Sequence, residues 1–103
     1  MCTLKFMTKQ KFLHTQAEWL LGDLKLTHLR GVNAEWVEET QTAVLTFYFD
    51  NEPSAMEIEE ASEICTEIIA TFSNALLEEH YIVWEPSKKL PNNSNWVYVR
   101  EDE

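Results

Sequence analysis

Apolar residues recur at three- and four-residue spacings over residues 10–26. Leu13, Ala17, Leu20, Leu21 and Leu24 line one side of a helix there and leave Gln16, Glu18, Asp23 and Lys25 outside it. Gly22 weakens that helix and is a point at which it can shorten. The period then falls to two over residues 42–50. Ala43, Leu45, Phe47 and Phe49 point one way, and Thr42, Val44, Thr46 and Tyr48 the other, which predicts a strand. Residues 33–39 read as its hairpin partner, joined through Thr40 and Gln41. Asp50, Asn51, Glu52 and Pro53 break the pattern, and Ser54 followed three residues later by Glu57 has the spacing of a capping box. The helix that begins there runs to about Phe72, with Ile58, Ala61, Ile64, Cys65, Ile68, Ile69 and Phe72 on an arc roughly 140° wide. Residues 81–85 and 96–100 read as two closing strands, separated by a loop containing Pro86, Pro91 and the polar residues 92–95.

The predicted order is therefore helix, strand, strand, helix, strand, strand. Hairpin-like links and the lack of strand–helix alternation predict an α+β fold: an antiparallel four-stranded sheet carrying both helices on one face. The helix-strand-strand unit occurs twice in outline, without a repeat at the level of residues. A chain of 103 residues has apolar content for one core, so residues 1–103 are read as a single domain.

Composition narrows the function. With only 2 Gly, a glycine-rich phosphate loop is excluded. No apolar run approaches the ~20 residues that cross a bilayer, and the first residues lack a secretion signal, so a cytoplasmic location is expected. Cys2 and Cys65 are expected to be free thiols. Eighteen acidic residues against eight basic ones give a formal charge of -10, which favours basic partners and disfavours bare nucleic acid and anionic membrane. The imbalance is uneven. Residues 1–30 carry +3, whereas residues 31–103 hold sixteen acids against Lys88, Lys89 and Arg100.

Catalytic constellations are lacking. His14 and Glu18 are four apart on the first helix, but two ligands without a third do not make a metal site. His28 and His80 read equally well as solvated histidines beside acids. Cys65 falls on the apolar arc, where a small buried hydrophobe is commoner than a nucleophile. No serine has the turn or the base that hydrolysis needs. No catalytic residue, metal or cofactor is assigned.

Two features point to binding. Glu59, Glu60, Glu63 and Glu67 occupy an arc of roughly 100° opposite the apolar one, and like charges three or four residues apart each cost about 0.2–0.5 kcal/mol in an isolated helix. A cationic partner would relieve that repulsion, although a merely solubilising face would look the same. Trp36, Tyr48, Tyr81, Trp84, Trp96 and Tyr98 all fall in predicted strands, and aromatic residues on an uncovered sheet face are favoured anchors. Alternation places Trp96, Tyr98 and Arg100 together, opposite Val97 and Val99. The core or the sheet edge is the competing destination, most of all for Trp84.

The runs Leu29-Arg30-Gly31-Val32-Asn33 and Leu45-Thr46-Phe47-Tyr48-Phe49-Asp50 with Glu52-Pro53 carry a resemblance. So do Ala61-Ser62, Thr66-Glu67-Ile68-Ile69-Ala70 with Phe72, Leu90-Pro91 and Trp96-Val97-Tyr98-Val99-Arg100. Together they resemble small bacterial immunity proteins encoded beside polymorphic toxins, including those of contact-dependent growth inhibition systems. The resemblance spans most of residues 29–100. It implies a cytosolic, non-enzymatic protein that binds and neutralises the C-terminal domain of a cognate toxin, often a nuclease. A nuclease cleft is lined with Lys and Arg, so an acidic inhibitor gains steered association with it. On that reading Glu60, Glu63, Glu67, Asp50 and Glu52 are the electrostatic contacts, and Tyr48, Trp96 and Tyr98 are the anchors. The helix stripe and the open sheet face lie on opposite sides, so the two sets conflict. The rival readings are a regulatory or structural domain that self-associates through its sheet face, and a small enzyme or ligand-binding protein whose pocket would gather polar groups such as His28 or His80.

Overall fold

The computed structural model describes residues 8–22, 24, 26–92, 95–101 and 103. Cys2, Asp23 and Lys25 lie outside the described residues. Thr8 caps the first helix, α1 (Lys9–Leu21), by accepting from the Lys11 amide at 3.1 Å. The helix stops five residues short of its predicted end. Gly22 follows it directly, and Leu24 packs on the core from non-helical backbone.

Strands β1 (Leu29–Val37) and β2 (Thr42–Phe49) form the expected antiparallel hairpin, through a loop in which Gln41 takes a left-handed φ of 51°. β1 begins four residues earlier than the sequence pattern suggests. Helix α2 (Ala55–Ile69) opens on the predicted capping box: Ser54 Oγ accepts from the Glu57 amide at 3.1 Å, and the Glu57 carboxylate accepts from the Ser54 amide at 2.9 Å. Its buried side is narrower than the predicted arc. Ala61, Cys65 and Ile68 are buried, whereas Ile58 is exposed, and Phe72 stacks on Trp36 from beyond the helix end, with ring centroids 5.1 Å apart.

The closing strands depart most from expectation. β3 (Leu76–Val83) starts five residues before residue 81, and β4 (Trp96–Val99) lies at the opposite edge in the spatial order β3-β2-β1-β4. The sheet is mixed: β1 pairs antiparallel with both β2 and β4, while β2 and β3 are parallel. The link from β2 to β3 is a helix, not a tight turn. It returns the chain to the end of the sheet from which β2 set out, so the next strand must run the same way.

Both helices pack on one face. Leu13, Ala17 and Leu21 of α1 and Ala61, Cys65 and Ile68 of α2 meet Val32, Ala34, Ala43, Leu45, Phe47 and Phe49, all 0–2% exposed. The alternation read in β2 thus maps directly onto the core. Truncating Phe47, which also stacks on Tyr81 at 5.4 Å, would cost about 3–5 kcal/mol. The opposite face is partly covered by the connection from β3 to β4, where Leu90 and Trp96 approach Gly31.

Candidate partner-binding surface

α2 turns Glu59, Glu60, Glu63 and Glu67 to solvent because their positions lie opposite the buried Ala61–Cys65–Ile68 side. Among the described residues, no Lys, Arg or His lies within ion-pair distance of any of the four. Glu59, Glu63 and Glu67 share a shallow groove of about 490 Å³ with Ser62 and Thr66. Of the predicted carboxylates, Glu63 and Glu67 share this groove, and Glu60 is exposed on the same helix outside it.

The other predicted acids sit differently. Asp50, at the end of β2, accepts from Arg100 Nη1 at 2.8 Å, so its charge already has an internal partner. Glu52 is exposed in the loop that leads to α2.

The three predicted anchors are not gathered in one place. A bulge in the β1–β4 pairing lies between Val32 and Asn33: Tyr98 faces Val32 and Trp96 faces Asn33, leaving Val97 as the extra residue. Tyr98 consequently lies on the helix side and packs against the core, whereas Trp96 lies on the open side. Simple alternation had put them together, and the bulge overturns that placement. Trp36, also counted among the strand aromatics, is on the helix side and 9% exposed.

On the open side Tyr48 stands between Trp96 and Trp84, with ring centroids 5.2 and 5.8 Å away. The Trp96 indole donates to the Pro91 carbonyl at 3.2 Å and the Trp84 indole to that of Lys89 at 2.9 Å. The cluster is thereby tied to the connecting loop. Trp84, the strand aromatic for which the core or the sheet edge weighs most as a competing destination in the sequence, completes it.

Sequence reasoning missed Arg30. It is the extra residue of a second bulge, between Leu29 and Gly31, and only 3% exposed. Its Nη1 donates to the carbonyls of Trp84 at 3.1 Å and Glu85 at 2.8 Å, and Nε and Nη2 grip the Glu103 carboxylate. Hydrogen bonding to Glu103 holds the guanidinium pKa above its ordinary value, against the opposing effect of burial. Arg30, Leu90, Trp96, Val99 and Glu103 help to line an open cleft of about 620 Å³. His28 and His80 are not among its lining residues. His28 Nδ1 instead lies 3.1 Å from Glu57, and His80 Nε2 lies 3.7 Å from Glu78.

Burial disfavours ionisation of two further side chains. Cys65 is buried, and burial, with the nearby Glu79 charge, pushes its thiol pKa far up, which suppresses the thiolate. Burial and the hydrogen bond to Glu79 push the Tyr81 phenol up likewise. Among the described residues no group of three or more His, Cys, Asp or Glu is placed to hold a metal ion, and no helix is long and apolar enough to cross a membrane.

The described surface thus carries an open acidic helix face and a tethered aromatic cluster on a small α+β frame. The family model described as MafI2 immunity protein matches residues 10–102, so the chain belongs to the MafI2 immunity protein family. It is a small bacterial immunity protein of a polymorphic toxin system. The match takes in α1, which lies before the runs that carry the resemblance. A search of curated proteins finds no significant match.

Proposed function

We propose that this immunity protein acts in the cytoplasm by binding the cationic C-terminal domain of its cognate toxin through the acidic face of α2. The observation that carries this reading is the row of four exposed glutamates without a cationic neighbour among the described residues, on a molecule of charge -10. Such a row is mildly self-repelling in the free protein, and it becomes favourable when a basic surface meets it. A nuclease is the toxin class that fits best, because a cleft built to hold a phosphate backbone is lined with Lys and Arg. Occupying that cleft needs no chemistry from the inhibitor. Delivery by cell contact, as in contact-dependent growth inhibition, fits the same arrangement.

Glu60, Glu63 and Glu67 supply the central charge in this proposal, with Glu52 and the Arg100-paired Asp50 at its margin. Tyr48 and Trp96 offer a separate aromatic contact on the open sheet, and Tyr98 contributes through the core beneath. The test is co-purification of the full chain with the toxin domain encoded by the neighbouring reading frame, followed by the triple reversal of Glu60, Glu63 and Glu67 to Lys. Loss of protection with the fold retained supports the acidic face. Full protection moves the site to the aromatic side, and no complex at micromolar concentration rejects the function.

A further inference from the structure

β3 is an edge strand guarded by the acidic charge of Glu78 and the inward-turned Glu79 and not by its backbone geometry. It runs eight residues in unbroken register with β2, without Pro, Lys or a bulge, which are the features that ordinarily blunt an exposed edge. The Leu76 amide donates to the Gln41 carbonyl at 2.9 Å and the Trp84 amide to that of Phe49 at 2.8 Å, so the even-numbered residues turn their backbone groups toward β2. By the two-residue period, Leu77, Glu79, Tyr81 and Val83 aim their N–H and C=O groups outward. Among the described residues no backbone group pairs with them.

The surroundings of this edge are acidic and apolar. Glu79 faces the helix side, where Ser62 Oγ of α2 lies 3.4 Å from its carboxylate. Ser62 also lines the groove that holds Glu59 and Glu63, so that groove adjoins the flank of α2 that touches β3. On the open side Glu78 is exposed. Leu76 and Val83, at the two ends of the strand, are 63% and 49% exposed.

We propose that the outer edge of β3 takes up an extended, Lys- and Arg-bearing segment of the toxin domain as a fifth strand. This rests on the function proposed above and gives it a geometry. Main-chain bonds to four outward residues supply the docking, and Lys or Arg side chains of the added strand on the helix side reach past Ser62 to Glu59 and Glu63 on the flank of α2. The sheet edge and the helix stripe then serve one partner together, which the two faces of the sheet cannot. A second copy of this chain is the poorer occupant, because it brings another charge of -10 to an acidic edge.

Residue-resolved amide exchange on the full chain, free and bound to the toxin domain from the neighbouring reading frame, tests the proposal. The amides of Leu77, Glu79, Tyr81 and Val83 are expected to exchange fast in the free protein and to slow by about a hundredfold or more in the complex. Those of Glu78, His80 and Ile82 should be protected in both states. Val83→Pro removes an outward donor without breaking a bond to β2, and should weaken binding about tenfold or more, whereas Val83→Ala, which keeps the donor, should not. A complex that forms with the odd-numbered amides unchanged overturns the added strand and leaves the proposed function standing. Absence of a complex overturns both. Protection already present in the free monomer, or appearing with a doubled mass in light scattering, means that this chain occupies its own edge and likewise rejects the proposal.

Discussion

Trp96 lies across Gly31, and the indole fills the space that a side chain there would need. A Cβ on Gly31 would stand 3.0 Å from Trp96 Cζ3, 3.1 Å from the Tyr98 carbonyl oxygen and 3.2 Å from Leu90 Cδ1. One of those neighbours is main chain of the paired strand and cannot step aside alone. Gly31→Ala should therefore cost about 1–3 kcal/mol in urea unfolding and alter the tryptophan emission as Trp96 is displaced. An unchanged spectrum and stability would contradict this packing.

Arg30 and Glu103 join positions 73 residues apart. Removing the carboxylate leaves a buried guanidinium with only the Trp84 and Glu85 carbonyls. Glu103→Ala should lose about 3 kcal/mol, read as a fall of more than about 10 °C in Tm. Arg30→Met removes the charge as well as its bonds, but strands both carbonyls, and should also destabilise the protein. The coupling of the two in a double-mutant cycle is the decisive quantity.

Glu57 makes stability depend on acid. Burial by itself would raise its pKa, yet the Ser54 amide and the bonds from the His28 ring and amide outweigh that and lower it. A lowered folded-state pKa means that this contribution is complete above the unfolded-state value, ordinarily 4.5, and is lost as pH falls through the lower folded-state value. Denaturation midpoints from about pH 6 down to about pH 3 should fall. Glu57→Gln should lower stability at neutral pH and flatten that fall.

The acidic stripe on α2 should reveal itself by effects of opposite sign. Glu63→Lys replaces repulsion by attraction with its helix neighbours and should raise the stability of the free protein by about 0.2–0.5 kcal/mol. The same change should slow association with the toxin domain, as should raising salt from about 0.05 M to about 0.5 M with the fold intact. Indifference of the association rate to both would refute steering by these carboxylates.

Much of this architecture was legible in the chain because local rules governed it. The β2 alternation, the Ser54–Glu57 capping box and the buried Cys65 each follow from residues within a turn or two of one another. What escaped was set by distant partners. In β3 the pattern is inverted, with Leu76 exposed and Glu79 turned inward to Tyr81 and Ser62, so residues 76–80 do not read as a half-buried strand. The parallel pairing depends on where α2 returns the chain. The bulge at Val97 shifts every later side chain in β4 to the other face, and four residues offer too little pattern to betray it. Arg30 is buried only because Glu103 and two loop carbonyls come to meet it.

The mixed pairing gives the two outermost strands a common direction, both opposed to β1. Copies stacked edge to edge, β3 of one on β4 of the next, would thus build a parallel ribbon that never closes on itself. Mutual repulsion between copies of charge -10 and the brevity of β4 both work against the first such contact, so the net charge guards against filaments.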